Sequence, residues 1–486
     1  MEERAVRGVV WTILSYGGNK FMTVLTTVIL ARILVPADFG LVALATLAVG
    51  FIGLFRDLGL GGALILRQDL DRAAQGTLLT LMLGMAAVVA AVVAAIAPLA
   101  AWVFDAPRLT GILAALSLTV ILGAFGWFYD ALLQRELEFR NRFYSQVLQS
   151  VVYAGVALGL AAAGTGAWSL VWGQIAASLA YAVMLASVAP YRVWPRFDRP
   201  VARDSLGTSK GFLLQGGLAF IEQNAAFFAV GRTLNTTAVG YWSMAYRMAE
   251  LPYMAVADPV AKVTFPGFSR MRHRGEDVTP AFLSALRLVA VVTVPMGLLL
   301  SACAGPFTRV VLGDEWIPMI GALAVMGVWA AVRTVQVTIA WLLNSVGEAG
   351  LMGIISLWVL LPLIPGLLLG ASYGGVEAVA WVMLADMVAS LCVLSFFADR
   401  RGGVALARQW RAVRPVAIAA PGCWAAAWLA VQALEGAGTL PALLLGGLAG
   451  LGAYALALVL SERGLLRASF GQIGRTLGRN PSGAAT

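Results

Sequence analysis

The chain has 486 residues, of which 60% are hydrophobic and only 12% are charged. Soluble domains carry about 25% charged residues, so a chain this apolar lacks the polar side chains needed to cover a globular surface. Its apolar stretches exceed about 20 residues, which favours membrane-spanning helices over the alternating strands of an outer-membrane barrel. The net charge of +9 fits Lys and Arg concentrated in cytoplasmic loops and gives no ground for nucleic-acid binding.

Fourteen candidate spans follow, joined by short connectors rich in helix-breaking residues. If the N-terminus is inside, the inner connectors hold 25 Lys and Arg, whereas the outer connectors hold two, Arg108 and Arg309. This asymmetry predicts that both termini lie in the cytoplasm. The predicted spans lie near residues 9–34, 40–60, 76–104, 109–131, 143–163, 167–190, 208–233, 239–261, 279–304, 316–344, 350–370, 375–398, 412–434 and 439–460.

A shift of 200 residues aligns two hairpins, each carrying the pattern Arg-x-Leu-x5-Gly, which ends at Gly40 and at Gly240. Both hairpins start from the same side because six spans separate them. The pattern predicts two parallel six-helix halves around a central cavity. Chance similarity between apolar helices is the alternative. The predicted divisions are an N-terminal half at 1–206, a C-terminal half at 207–398, an additional helix pair at 399–461 and a cytoplasmic tail at 462–486.

Positively charged and polar side chains inside the spans predict a binding site. Charges are costly in lipid, so they face a cavity or a partner, and the guanidinium of Arg can hold a phosphate with two parallel hydrogen bonds. We therefore expect an anionic headgroup such as a pyrophosphate at a cationic centre. The alternative is that these residues pair inside a packed bundle. The candidate substrate-binding residues are Lys20, Arg56, Arg247 and Arg333, with Asn19 and Tyr16 on the polar face of the first span.

Four acidic residues inside the spans are candidates for coupling transport to an ion gradient: Asp57, Glu222, Glu250 and Asp386. They could take up H⁺ or Na⁺, and the sequence leaves the coupling ion open. Asp57 and Glu250 could instead be static partners of Arg56 and Arg247.

Enzyme chemistry is not predicted. The sequence has no GxxxxGK[ST] phosphate-binding motif, and the Asp69-Leu70-Asp71 spacing lies in a short loop without a surrounding domain. The single His273 sits in a basic loop, and Cys303, Cys392 and Cys423 are scattered through apolar stretches. We therefore expect no catalytic residue, no metal site, no disulfide framework and no cofactor.

Two segments carry a resemblance to a known family. The run Ala31–Leu41, followed by Arg56–Leu60 and Gly62–Leu64, resembles the N-terminal signature of Wzx-type polysaccharide flippases, and the connector Gln134–Arg140 is similar to the family's. These flippases belong to the multidrug/oligosaccharidyl-lipid/polysaccharide exporter superfamily. Length, span count and topology agree with the family over the whole chain.

The resemblance implies a flippase that moves undecaprenyl-pyrophosphate-linked oligosaccharide repeat units from the inner to the outer leaflet by alternating access. The units would serve capsule, lipopolysaccharide or exopolysaccharide synthesis. It implies a monomer in the bacterial inner membrane, with a polysaccharide polymerase as a candidate partner. The family's cationic cavity residues are carried over to Lys20, Arg56 and Arg247 by span and polar face, whereas Arg333 rests on its own span. The rival interpretations are a lipid II flippase, a cation-coupled exporter of amphipathic drugs, and a scaffold without transport activity.

Overall fold

A computed structural model describes residues 22–57, 71–136, 138–202, 210–346 and 349–461. Within these ranges the chain is almost entirely helical and has no β-strand. The helices before residue 203 are α1 (Met22–Ile33), α2 (Pro36–Asp57), α3 (Arg72–Val103), α4 (Leu109–Arg135), α5 (Phe139–Ala162) and α6 (Ala167–Val188). Those after it are α7 (Lys210–Thr233), α8 (Thr236–Ala249), α9 (Asp258–His273), α10 (Thr279–Ala302), α11 (Ile320–Ser345), α12 (Ala349–Arg400), α13 (Leu406–Ala433) and α14 (Thr439–Ser461).

Ten helical segments in the described ranges are long and apolar enough to cross a membrane. The predicted all-α membrane fold is thereby confirmed, while the count of fourteen spans stays a prediction. The predicted spans near 350–370 and 375–398 are the two arms of α12, which meet at Gly375. The backbone there has φ 63° and ψ −150°, a conformation that glycine adopts without a steric penalty because it has no Cβ.

The chain between α8 and α9 stays helical but widens into a π-turn at Tyr253–Ala257. Pro252 precedes the turn, and proline has no backbone N–H to donate to the preceding turn of helix. Such wide turns shift the side chains that follow out of the regular helical register and are frequent at functional sites. The predicted span near 239–261 therefore consists of α8, this turn and the start of α9.

The described helices group into two compact units. The first contains the described residues up to Met244 together with Ser356–Val379, and the second contains Ala245–Ile355 and the described residues from Ala380 onward. Within the first unit α4 packs on α3 and α6, and α5 packs on α6. Within the second, α10 packs on both α11 and α13, and α13 packs on α14. The predicted halves at 1–206 and 207–398 stay a prediction.

Small residues set the spacing of α10 and α11, which carry much of the second unit. A Cβ added to Gly327 would lie 2.6 Å from the backbone nitrogen of Ser301, and one added to Gly297 would be equally crowded by Gly327. Next to this crossing, the buried hydroxyls of Thr293 and Thr334 are hydrogen-bonded at 2.7 Å. Close backbone approach of this kind is common between membrane helices, where packing replaces the hydrophobic effect as the driving force. This close crossing of α10 and α11 fixes the position of the residues that follow Gly327 on α11.

Candidate functional site

A cluster of charged and aromatic side chains lies inside the second unit. Tyr246 and Glu250 stand four residues apart at the end of α8, so they share one face of the helix. Trp329 and Arg333 stand four residues apart on α11 and share a face in the same way. Tyr253, at the start of the π-turn, completes the cluster. We call these five residues the Arg333 cluster.

Arg333 is held by a carboxylate at one end and by aromatic faces around it. Its Nη1 donates to Oε1 of Glu250, and the two side chains are only 16% and 15% exposed. The guanidinium carbon lies 4.8 Å from the ring centre of Tyr253 and 4.7 Å from that of Trp329. Each such contact of a cation with a ring face contributes roughly 0.5–2 kcal/mol, depending on desolvation. The arginine is therefore positioned by the rings independently of the carboxylate.

Two further donors surround the ion pair. The hydroxyl of Tyr246 is within hydrogen-bonding reach of both Glu250 and Arg333, and the Tyr246 ring lies 5.6 Å from that of Trp329. The indole N–H of Trp329 is buried and has no hydrogen-bond partner within the described part of the chain. An unpartnered buried donor costs about 1–3 kcal/mol. The cluster thus contains one buried N–H donor without a described partner, that of Trp329, beside the guanidinium of Arg333. Such a pair of donors can bind an oxyanion.

Arg333 is the one predicted substrate-binding residue that the described structure places in a buried polar cluster. Arg247, one turn before Glu250, is exposed and forms no ion pair or hydrogen bond with any described residue. The carboxylate of Glu250 is paired with Arg333 and not with Arg247, the static partner considered from the sequence. Tyr16, Asn19 and Lys20 lie outside the described residues, and so do the side chains of Arg56 and Asp57 at the end of α2.

The predicted acids are distributed over both units. Glu222 is half-buried on α7 in the first unit, and Asp386 is half-buried on the second arm of α12 in the second unit. One turn from Asp386, the hydroxyl of Ser390 accepts a hydrogen bond of 3.0 Å from Gln336 on α11. The helix α11 therefore contacts Glu250, directly after α8, through Arg333 and the second arm of α12 through Gln336.

The comparisons with known proteins agree with this arrangement of helices. The model of a family described as polysaccharide biosynthesis protein matches residues 29–321, which is more than half of the chain. The chain belongs to the polysaccharide biosynthesis protein family. Among members similar to it, the succinoglycan biosynthesis transport protein ExoT of Rhizobium meliloti is 28% identical over 79% of this chain and 78% of its own length. The lipopolysaccharide biosynthesis protein WzxC of Escherichia coli is 23% identical over 82% of this chain and 81% of its own.

Solved structures show the fold that this family member adopts. A lipid II flippase MurJ in an inward closed conformation aligns with a TM-score of 0.74 at 13% identity, over 95% of this chain and 100% of that chain. An inward-facing multidrug resistance transporter of the MATE family aligns with a TM-score of 0.63 at 14% identity, over 80% of this chain and 96% of that chain. The resemblance to Wzx-type flippases of the exporter superfamily is confirmed. The protein is a multi-pass bacterial membrane protein of polysaccharide biosynthesis.

A second buried ion pair, which was not predicted from the sequence, lies in the first unit of this family member. Arg142 on α5 contacts Asp130 on α4 through two parallel hydrogen bonds of 2.7 and 2.8 Å, and Tyr181 on α6 donates to the same carboxylate at 3.1 Å. From the sequence, Arg142 belongs to the 25 charges of the inner connectors, but α4 runs to Arg135 and α5 begins at Phe139, so Arg142 lies within a helix. The sequence feature that could have predicted this ion pair is an acid and an arginine that lie twelve residues apart, on either side of a hairpin.

The first unit of this polysaccharide biosynthesis protein also contains an apolar cavity of about 430 Å³. It is lined by side chains of α2, α3, α7 and the first arm of α12, among them Phe51, Phe220, Phe228 and Ile364. Asn224 is the polar residue of the lining, and its amide already donates to the backbone carbonyl of Phe220 at 2.8 Å. The lining is therefore apolar apart from this one amide, and it suits a hydrocarbon chain.

Proposed function

We propose that this protein is a flippase that moves undecaprenyl-pyrophosphate-linked oligosaccharide repeat units from the inner to the outer leaflet by alternating access. One observation carries the proposal. The chain matches, over about four fifths of both lengths, a relative that is named a succinoglycan biosynthesis transport protein. A repeat unit of such a polymer reaches the cell surface only after it crosses the inner membrane, and the fold is shared with a lipid II flippase.

The Arg333 cluster supplies the anion site in this proposal. A diphosphate competes with Glu250 for the guanidinium, because phosphate offers the same bidentate geometry with a larger charge. The aromatic faces of Tyr253 and Trp329 keep Arg333 in place while the carboxylate is exchanged for phosphate. Glu250, once released, is free to take up a proton, which gives a route for coupling transport to a gradient. Lys20, Arg56 and Arg247 remain candidate contacts to the substrate, with Asn19 and Tyr16.

The apolar cavity of the first unit supports the same substrate class. An isoprenoid tail is a long chain of apolar units that each carry a methyl branch, and burial of such a chain stabilises a complex by about 25 cal/mol for each Å² removed from water or from a polar headgroup layer. The tail therefore occupies part of the cavity between Phe51 and Phe228 while the remainder stays in lipid.

The remaining parts of the proposal concern orientation and partners. Both termini lie in the cytoplasm and the protein works as a monomer in the inner membrane, in line with the charge asymmetry of the connectors. It needs no cofactor and catalyses no covalent step. Asp57, Glu222 and Asp386 stay candidates for ion coupling by H⁺ or Na⁺, and a polysaccharide polymerase is a candidate partner.

A reconstitution experiment tests the function. Purified protein in proteoliposomes is given an undecaprenyl-pyrophosphate-linked oligosaccharide, and a lectin or glycosidase outside the vesicles reports its transfer between leaflets. We expect transfer that exceeds the rate in empty liposomes and depends on Arg333. Equal rates with and without the protein, under H⁺ and Na⁺ gradients of either direction, would contradict the proposal and favour the scaffold.

A cation-coupled drug exporter is the second candidate, because solved multidrug transporters share the fold and the spans contain half-buried acids. It predicts that Glu222 and Asp386 dominate transport and that Arg333 is dispensable. Drug susceptibility of a deletion strain, measured beside its surface polysaccharide, separates the two. A lipid II flippase is separated by the same deletion, because loss of lipid II transport stops cell-wall growth rather than polymer export.

A further inference from the structure

The helices α10 and α13 pack side by side in parallel. Ala290 shares a buried cluster with Val416 and Ala419, and further along both helices the indole of Trp424 donates to the hydroxyl of Ser301 at 3.1 Å. Residue numbers therefore rise together along both helices. The same register, continued toward the helix starts, places Arg287 opposite the first three turns of α13.

The α10–α13 interface opens at this end into a cavity of about 410 Å³. Four of the six residues that line it are arginines: Arg287 from α10, and Arg408, Arg411 and Arg414 from α13. We call it the four-arginine cavity. Leu283 and Ala412 complete the lining, so no acidic side chain belongs to it.

The positive charge in the four-arginine cavity is not balanced by the described residues around it. None of the four arginines forms a salt bridge in the described part of the chain, and the buried Nε of Arg287 has no hydrogen-bond partner there. Asp277, the acid within electrostatic reach of Arg408, is exposed and already accepts a hydrogen bond from the backbone of Thr279 at 2.9 Å. Arg408, Arg411 and Arg414 are exposed, so water screens part of the repulsion between these like charges, and a bound anion would neutralise the rest.

The cavity lies near the N-terminal ends of two helices that are long and apolar enough to cross a membrane. Arg287 and Arg414 each follow the first residue of their helix by eight positions, which is about 12 Å along the axis. The N-termini of both helices lie at this end, and their partial positive charges add to the field. Beside the arginines, Trp410 and Ile418 are exposed on α13, where acyl chains and the interface would cover them.

We propose that the four-arginine cavity binds the headgroup of a membrane phospholipid that carries two phosphates. Two phosphodiester groups bring two negative charges and four unesterified oxygens, enough to receive the forks of Arg287 and Arg414 on one side and Arg408 and Arg411 on the other. A headgroup with a single phosphate leaves half of these donors without a partner. The bound lipid would also bridge α13 and α10, which both contribute arginines to the cavity. The site is independent of the proposed transport function.

Lipid titration of the purified full-length protein tests the assignment. Native mass spectrometry counts bound cardiolipin, which has two phosphates, against phosphatidylglycerol, which has one. We expect cardiolipin to bind at least about tenfold more tightly, and the variant Arg408→Ala/Arg411→Ala, which removes the contacts to one of the two phosphates, to lose about that factor. The matched control Arg270→Ala/Arg272→Ala removes two exposed arginines from the neighbouring α9 and is expected to bind cardiolipin like the wild type.

Three outcomes of the titration overturn the proposal: equal affinity for the two lipids, equal loss in both double variants, or preferential binding of undecaprenyl diphosphate that depends on the same arginines. The last would assign the cavity to the transported lipid instead. A measurement without any variant guards against misfolding. The melting temperature of the wild-type protein should rise with added cardiolipin and not with phosphatidylglycerol, and identical rises also overturn the proposal.

Discussion

Gly40 and Gly240 face each other's helices at the point where α2 and α8 begin. A Cβ on Gly40 would overlap the carbonyl oxygen of Thr236, and a Cβ on Gly240 would overlap that of Pro36. Each glycine therefore meets the residue four positions before the other, which is the reciprocal contact expected of two copies related by a two-fold axis. These are also the glycines that the 200-residue shift aligns. The contact favours an internal repeat over chance similarity between apolar helices.

The crossing predicts that neither glycine tolerates a side chain. Gly40→Ala and Gly240→Ala should each cost about 1–3 kcal/mol or more, because the backbones must separate to admit a methyl group. The measurement is the melting temperature of the purified protein together with its level in the membrane. Gly53→Ala, further along α2, is the control, because nothing lies within 4 Å of its added Cβ. Equal tolerance at Gly40 and Gly53 would contradict the crossing.

The structure explains why the residues that carry the family resemblance are needed in this region. Besides Gly40, it contains Asp38, whose carboxylate accepts a hydrogen bond from the backbone N–H of Ala167 at the start of α6. Phe39, between them, is buried. We expect Asp38→Ala, which removes the acceptor oxygen, to weaken the start of α6 by about 0.5–2 kcal/mol, the usual contribution of a helix cap. Hydrogen exchange at residues 167–170 measures this effect, and unchanged protection there would show that Asp38 does not cap the helix.

Arg333 and Glu250 permit a test that separates a structural ion pair from a phosphate site. Glu250→Gln leaves a buried guanidinium without its partner, which destabilises a protein by about 3–5 kcal/mol. The double variant Glu250→Gln/Arg333→Met removes both charges, so most of that stability should return. If Arg333 binds the diphosphate, polymer export stays lost in the stable double variant. Recovery of both stability and export in the double variant would make the pair purely structural.

Asp130 and Arg142 are expected to behave differently from that pair. Asp130→Asn removes the acceptor of two bonds from Arg142 and one from Tyr181, so we expect a loss of about 3–5 kcal/mol. Tyr181→Phe removes a single hydrogen bond and should cost about 1 kcal/mol. Thermal unfolding gives both values, and Arg140→Gln on the exposed face of α5 is the control. Export per folded molecule should stay normal, and a specific loss of export in Tyr181→Phe would instead assign a transport role.

The sequence predicted the helical architecture well because apolar length and loop charge are local signals. The spans that became α3, α4, α6 and α14 agree with the structure to within a few residues. The pairing of charged residues was not predictable to the same degree. Glu250 lies one turn from Arg247 in sequence, yet its partner is Arg333, because the π-turn after Pro252 and the close crossing of α10 and α11 decide which side chains meet. Asp130 was overlooked because its partner across the turn was read as loop charge.

The apolar cavity of the first unit gives a prediction about the lipid tail. Ala225 on α7 lines the cavity, and Ala225→Trp would fill part of its roughly 430 Å³ with an indole ring. We expect this variant to bind a long-chain isoprenyl diphosphate more weakly, by about tenfold if some 55 Å² of tail contact is lost. Its affinity for a diphosphate whose tail is too short to fill the cavity should stay unchanged. Val88→Trp, at a position of α3 that is 59% exposed and outside the lining, adds the same ring as a control. If Ala225→Trp loses affinity for the long-chain and the short-chain diphosphate alike, the substitution disturbs the helices. If Ala225→Trp and Val88→Trp bind the long-chain diphosphate with equal affinity, the tail does not enter the cavity.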